Sequence, residues 1–139
     1  MTYYCKLEED HEAGGYTVSF PDVPGVITEG DTLDEALFNA WEALNGVLES
    51  LVSRGENLPE SRTVPDTSMH PIDVEPHILT AWNLRTLRGD LPQSDIAKRL
   101  GMTYQAYQRL ENPTKGNPTI KTLEKVAKAF GKRLTISLS

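Results

Sequence analysis

The sequence predicts an α+β protein of two modules, an N-terminal β-β-β-α-β part and a C-terminal all-α part that closes on a short terminal strand. Three observations carry this reading. Apolar and polar residues alternate over Tyr16–Phe20, a helical period replaces the alternation from Thr32, and beyond Pro76 short helical periods are cut by glycine and proline. Charge divides at the same point. Residues 1–76 hold three basic side chains (Lys6, Arg54, Arg62) against sixteen acidic ones, a balance of −13, whereas residues 77–139 hold eleven basic against four acidic, or +7. Such asymmetry assigns different partners to the two halves, because only the basic half attracts phosphates. A chain of 139 residues suffices for two small domains with modest cores. The expected organisation is residues 1–58 plus a strand near 70–75, a linker region over 59–76, and a second domain over 77–139.

Tyr3–Leu7 and Tyr16–Phe20 read as strands joined by a turn at Ala13-Gly14-Gly15. Pro21, Pro24 and Gly25 end the second, and Gly25–Glu29 reads as a third. Thr32-Leu33-Asp34-Glu35 matches a capping box, so a helix starts there. Leu33, Leu37, Ala40, Trp41, Leu44, Leu48 and Leu51 then draw one apolar stripe toward the sheet, with Trp41 expected in the core and Gly55 as the stop. From Asn57 to Pro76 the period vanishes and four prolines punctuate the chain, with Ile72–Val74 as one further strand.

Helical patterns follow over His77–Arg88, Gln93–Leu100, Thr103–Asn112 and Thr119–Phe130, separated by Gly89, Gly101, Pro113 and Pro118. A final alternation, Leu134–Leu138, reads as the terminal strand. In LPQSDIAKRLGMTYQAYQRLEN a helix, a tight turn at Gly101 and a second helix capped by Thr103 form a helix-turn-helix. Ile96, Ala97 and Leu100 face Tyr107 and Leu110 across its core. Tyr104, Gln105, Gln108 and Arg109 face outward, where they can reach base edges or phosphates in a major groove.

This segment, with the helix before it and NPTKGNPTIKTLEKVAKAFG after it, resembles the Cro/repressor-type (XRE) helix-turn-helix family over about half the chain. The features that match are Gln93 opening a helix, Ile96-Ala97, Gly101, Leu110-Glu111-Asn112 and Asn117-Pro118-Thr119. The resemblance implies that Gln93 and Asn112 contact backbone phosphates, with Lys115 and Lys121 as nearby electrostatic support. It also implies an arginine late in the first helix paired with the glutamate that ends the recognition helix. Here the spacing is one residue longer, and the expected pair is Arg85–Glu111. Each such domain reads a short half-site, so a homodimer or higher homo-oligomer on an inverted repeat is expected.

The acidic half invites a nuclease reading, in which Asp22, Glu29, Asp31 and Asp34 would hold Mg²⁺. Structural roles absorb two of these, since Asp34 lies in the first turn of a helix and Asp31 beside its cap. His11, His70 and His77 have no metal-ligand spacing, and no P-loop, G-x-G-x-x-G or G-x-S-x-G occurs. Cys5 has no disulfide partner and no evident base. Neither a metal nor any other cofactor is expected, and no enzymatic activity.

Tyr16-Thr17-Val18-Ser19-Phe20-Pro21-Asp22-Val23-Pro24-Gly25, then Thr28-Glu29-Gly30-Asp31-Thr32-Leu33-Asp34-Glu35-Ala36, with Asn39-Ala40 and Ala43-Leu44, resemble the N-terminal domain of HicB antitoxins over roughly the first sixty residues. The resemblance implies a partly degenerate RNase H-like fold. It also implies a partner, a HicA-like toxin: a small, basic, mRNA-cleaving protein. An active RNase H fold needs an aspartate in its first strand, and YYCKL has none.

The expected function is therefore that of an antitoxin of a type II toxin–antitoxin system. It would neutralise a HicA-like toxin by direct binding and repress its own operon by binding operator DNA. Phe20, Asp22, Glu29 and Asp31 are the toxin-docking candidates. Thr103 joins the outward residues of the recognition helix as a DNA-contact candidate. The alternative is a solitary dimeric transcription regulator whose acidic domain senses a ligand or dimerises; a metal-dependent nuclease tethered to DNA is the third reading. No apolar run is long enough to span a membrane and no secretory signal is evident, so a cytoplasmic location is expected.

Overall fold

Alternation in TYYCKLEE produces strand β1, Thr2–Glu9, which buries Tyr3 and Cys5 and turns Lys6 and Glu8 outward. Strands β2 (Tyr16–Ser19), β3 (Ile27–Gly30) and β4 (Met69–Asp73) complete an antiparallel sheet of order β3-β2-β1-β4. Its register pairs Leu7 with Val18, Val18 with Thr28 and Tyr3 with Ile72, so every inward residue falls on one face. Helix α1, Leu33–Ser53, packs on that face. The computed structural model describes residues 1–139 and divides into two units, Met1–Leu79 and Thr80–Ser139.

The capping residue of α1 is the expected one: the Thr32 hydroxyl accepts the Glu35 N–H at 3.1 Å. Gly30, just before it, has a steric reason. A Cβ there would lie 2.4 Å from the Ala36 nitrogen, so only glycine lets β3 meet the first turn of the helix. The buried line of α1 is Ala36, Ala40, Leu44, Leu48 and Val52, a strict four-residue ridge, with Asn45 beside it. Trp41 is a correction to the expected stripe. It is 37% exposed, stacks obliquely on the exposed Phe38 at 5.9 Å, and donates its indole N–H to Glu75 at 2.9 Å. Leu33 is exposed as well, because the sheet fits the ridge beginning at Ala36 rather than the one beginning at Leu33.

Asn45, absent from any apolar pattern, is buried and fully used. Its amide donates to the Trp41 and Asp73 carbonyls at 3.0 and 3.1 Å, and its carbonyl oxygen accepts the Glu75 N–H at 2.8 Å. One side chain thereby ties α1 to the end of β4. Residues 59–76, expected as a linker region, lie within the first unit. The Asp22 carboxylate accepts the Arg62 and Thr63 N–H groups at 3.0 and 2.9 Å, Ser61 donates to the Thr2 carbonyl, and Tyr3 donates to the Pro59 carbonyl. Burial, with Asp22 nearby, pushes the Tyr3 phenol up to about 12, which keeps it a donor.

Helix α2, Pro76–Arg88, begins with proline at its first position, where the missing N–H costs nothing, and the division between the units falls inside it. Helices α3 (Gln93–Leu100), α4 (Tyr104–Leu110) and α5 (Ile120–Ala129) follow. They close on Leu84, Ile96, Ala97, Leu100, Tyr107, Leu110 and Val126. Helix α4 stops at Leu110 rather than Asn112, since Glu111 is its C-cap. The expected terminal strand over Leu134–Leu138 does not form. A strand needs a neighbour to accept its ladder, and residues 132–139 pair with no strand, leaving Ile136 and Leu138 exposed.

Candidate nucleic-acid interface and partner surface

The turn between α3 and α4 rests on Gly101, which takes the left-handed conformation (φ 66°, ψ 32°) and returns its N–H to the Ala97 and Lys98 carbonyls. Thr103 then caps α4, its hydroxyl accepting the Ala106 N–H at 3.1 Å. Successive helical residues turn by about 100°. Tyr104, Gln105, Gln108 and Arg109 therefore share one arc of α4, and all four are exposed, while Tyr107 and Leu110 on the opposite arc are buried. A helix so divided presents two amides, a phenol and a guanidinium to one body.

The exposed arc of α4 is braced from below. Glu111 is buried, and Arg88 clamps it bidentately, Nε to Oε2 at 2.7 Å and Nη2 to Oε1 at 2.9 Å. Arg88 also donates to the Leu91 carbonyl, and Gln93 Nε2 donates to Glu111 at 3.1 Å. Burial raises the Glu111 pKa, but Arg88, Tyr107 and Gln93 more than offset it, and the carboxyl is held below its usual range. The expected Arg85–Glu111 pair is thus corrected to Arg88–Glu111. Helix α2 runs on to Arg88, one turn beyond Arg85, and Arg85 lies over the Trp82 ring at 5.1 Å.

Gln93, expected to meet a phosphate, is half-buried and oriented by its bond to Glu111. Asn112 shapes the chain that follows, its side-chain oxygen accepting from the Thr114 and Lys115 N–H groups and the Thr114 hydroxyl. Gly116 then closes against α4, where a Cβ would lie 2.4 Å from the Arg109 carbonyl oxygen. This close approach sets exposed Lys115 beside the end of the recognition helix, and exposed Lys121 sits in the first turn of α5, capped by Thr119.

In the acidic unit the four docking candidates separate. Phe20 is 1% exposed and belongs to the core, and Asp22 is engaged with the backbone of residues 62 and 63. The Thr63 N–H, ahead of the weaker Arg62 contributions, holds the Asp22 carboxyl below its usual range. Phe20 is a correction, since its core position removes it from the available surface, whereas Asp22 stays half-exposed with one carboxylate oxygen committed to the backbone. Glu29 and Asp31 are exposed, Glu29 on strand β3 with its carbonyl held by the Asn39 amide at 2.8 Å. Strand β1 runs on through Glu8 and Glu9, so the first strand carries carboxylates after all, at its exposed hairpin end. No three His, Cys, Asp or Glu side chains converge with the geometry of a metal site. Burial raises the Cys5 thiol, which disfavours the nucleophilic thiolate. No helix is long and apolar enough to cross a membrane.

Residues 3–81 match the family described as HicB-like antitoxin of bacterial toxin–antitoxin system, and residues 83–136 match a helix-turn-helix family. "Antitoxin HicB 1" of Photorhabdus laumondii is 35% identical over 99% of this chain and 87% of its own length. "Antitoxin HicB" of Escherichia coli K12 is 30% identical over 88% of this chain and 89% of its own. The crystal structure of the N-terminal domain of Burkholderia pseudomallei antitoxin HicB superposes with a TM-score of 0.47 at 27% identity, over 54% of this chain and 99% of that one.

Proposed function

The chain belongs to the HicB-like antitoxin family and carries a helix-turn-helix domain, and from that premise we propose that it is the antitoxin of a type II pair. It neutralises a HicA-like, mRNA-cleaving toxin by direct binding and represses its own operon. The observation that carries this reading is the division of charge and surface between the units. The basic half exposes Tyr104, Gln105, Gln108 and Arg109 on one arc of a braced helix. The acidic half has three basic side chains, and two of these, Arg54 and Arg62, already pair with Glu56 and Glu60. A nearly unopposed negative field accelerates association with a cationic, RNA-binding protein and selects against nucleic acid.

In this scheme the chain acts without catalysis. DNA contact comes from α4 and from Lys115 and Lys121, in a dimer or higher oligomer on an inverted repeat, each copy reading one half-site. Gln93, Thr103 and Asn112 bound the same surface. Toxin and operator are coupled only so far as toxin binding differs in affinity between the DNA-bound and free states.

The test is co-expression with the small basic protein encoded beside this chain. Restored growth and co-purification are expected, together with a shift of the upstream duplex in a gel. Sustained toxicity with no complex would refute the antitoxin reading, and would favour the solitary regulator if the duplex still shifts.

A further inference from the structure

A groove of about 530 Å³ runs between strand β3 and helix α1, and nothing in the fold fills it. Ile27, at the start of β3, lines one side and is 69% exposed; Val47, on α1, lines the other and is 38% exposed. Ala43 and Gly46 keep the helical wall low between them. The opposite wall is open, because β3 is an edge strand of the sheet.

Gly46 is the informative residue. It sits inside α1, where glycine is the poorest helix former after proline, and a Cβ at that position would meet nothing within 4 Å. Packing within this chain does not explain it. Gly30 and Gly116, by contrast, each face backbone at 2.4 Å. A glycine that weakens its helix while opening bare backbone beside exposed Ile27 and Val47 fits a body that arrives from outside.

Charge selects that body. Glu42 lines the groove, no lysine or arginine does, and exposed Glu29 on β3 and Asp31 just past its end follow directly. A second copy docked by this face would bring like charges together, which costs rather than stabilises. A cationic protein would present lysine or arginine to Glu29, Asp31 and Glu42 and an apolar side chain to Ile27 and Val47.

We infer that the basic toxin seats in the groove between edge strand β3 and helix α1, with its apolar anchor against the bare backbone at Gly46. This rests on the antitoxin reading above. The probe is a catalytically inactivated form of the small basic protein encoded beside the chain, titrated against full-length wild type and variants. Gly46→Leu fills the groove with a better helix former, so the chain should melt no lower than wild type and shift operator DNA unchanged, while its affinity for the toxin falls at least 100-fold. Glu42→Lys should lower affinity about tenfold, with a slower association rate and a weaker salt dependence. Phe38→Ser, on α1 outside the groove, should leave toxin affinity unchanged.

Wild-type binding that survives both Gly46→Leu and Glu42→Lys would overturn the groove assignment and leave the antitoxin reading intact. Failure of wild type itself to bind would sink both. A change in the mass of the free protein with Gly46→Leu would show that a second copy occupies the groove, and would overturn the toxin as its occupant.

Discussion

The two units treat their carboxylates in opposite ways. In the C-terminal unit Glu111 is drawn into the interior and clamped by Arg88 and Gln93, while the lysines and Arg99, Arg109 and Arg133 stay on the surface. In the N-terminal unit the carboxylates stay outside, and Asp10, Asp22 and Asp66 turn to nearby backbone N–H groups. A buried, bonded pair fixes geometry but stabilises little for its own sake, because desolvation consumes most of the attraction. Surface charges do the reverse: they fix little and build a field. The comparison teaches that the basic half holds a few side chains in register, whereas the acidic half carries its charge as a field, which is what the proposed function asks of each.

The strongest way to break this contrast is Arg88→Ala. It strands Glu111 in the interior, and the expected loss is about 3–5 kcal/mol of stability, read by thermal unfolding. An uncharged Glu111→Gln partner to the same change should recover part of that loss. Acid acts on the same pair. The Glu111 pKa lies lower in the folded chain than in the unfolded one, so its contribution is complete above the unfolded value and is lost as pH falls through the folded one.

Next in size is Gly30→Ala, which drives a methyl into the Ala36 backbone; about 1–3 kcal/mol of destabilisation is expected by denaturant titration, against almost none for Gly25→Ala, where a Cβ meets nothing within 4 Å. Arg109→Ala should cost about 1–3 kcal/mol of operator binding and relax the preference for one base, measured by titration against a panel of substituted duplexes. Asp22→Ala frees the Arg62 and Thr63 N–H groups. Because the site is open to water the expected loss is only about 1 kcal/mol, and its pH signature is again a contribution present at neutral pH and lost as acid titrates the depressed carboxyl. Smallest is Lys115→Ala, which should flatten the salt dependence of DNA binding by about one ion while leaving base preference alone.

Much of this was legible in the sequence where the cause is local. The Thr32 and Thr103 caps, the Gly101 turn and the outward arc of α4 follow from residues within a few positions of one another, and so did the split in charge. What escaped depends on contacts between distant segments. Trp41 fits an apolar period, yet the sheet takes the Ala36–Val52 ridge and Glu75 claims the indole. Arg85 and Arg88 lie one turn apart, and only the end of α2 decides which reaches Glu111. Phe20 and Asp22 stand together in a distinctive motif, but one fills the core and the other latches a segment some forty positions on. Asn45 carried no signal beyond being a polar residue inside an apolar helix, and its bonds to Asp73 and Glu75 span some thirty positions. The alternation of Leu134–Leu138 promised a strand that has no neighbour in this chain.

The division of labour is tested most directly by measuring, side by side, the operator affinity and the toxin affinity of full-length Arg109→Ala. Operator binding should weaken by roughly 10- to 200-fold while toxin binding stays at the wild-type value. Affinities that fall together, or an operator complex that is untouched, would contradict it.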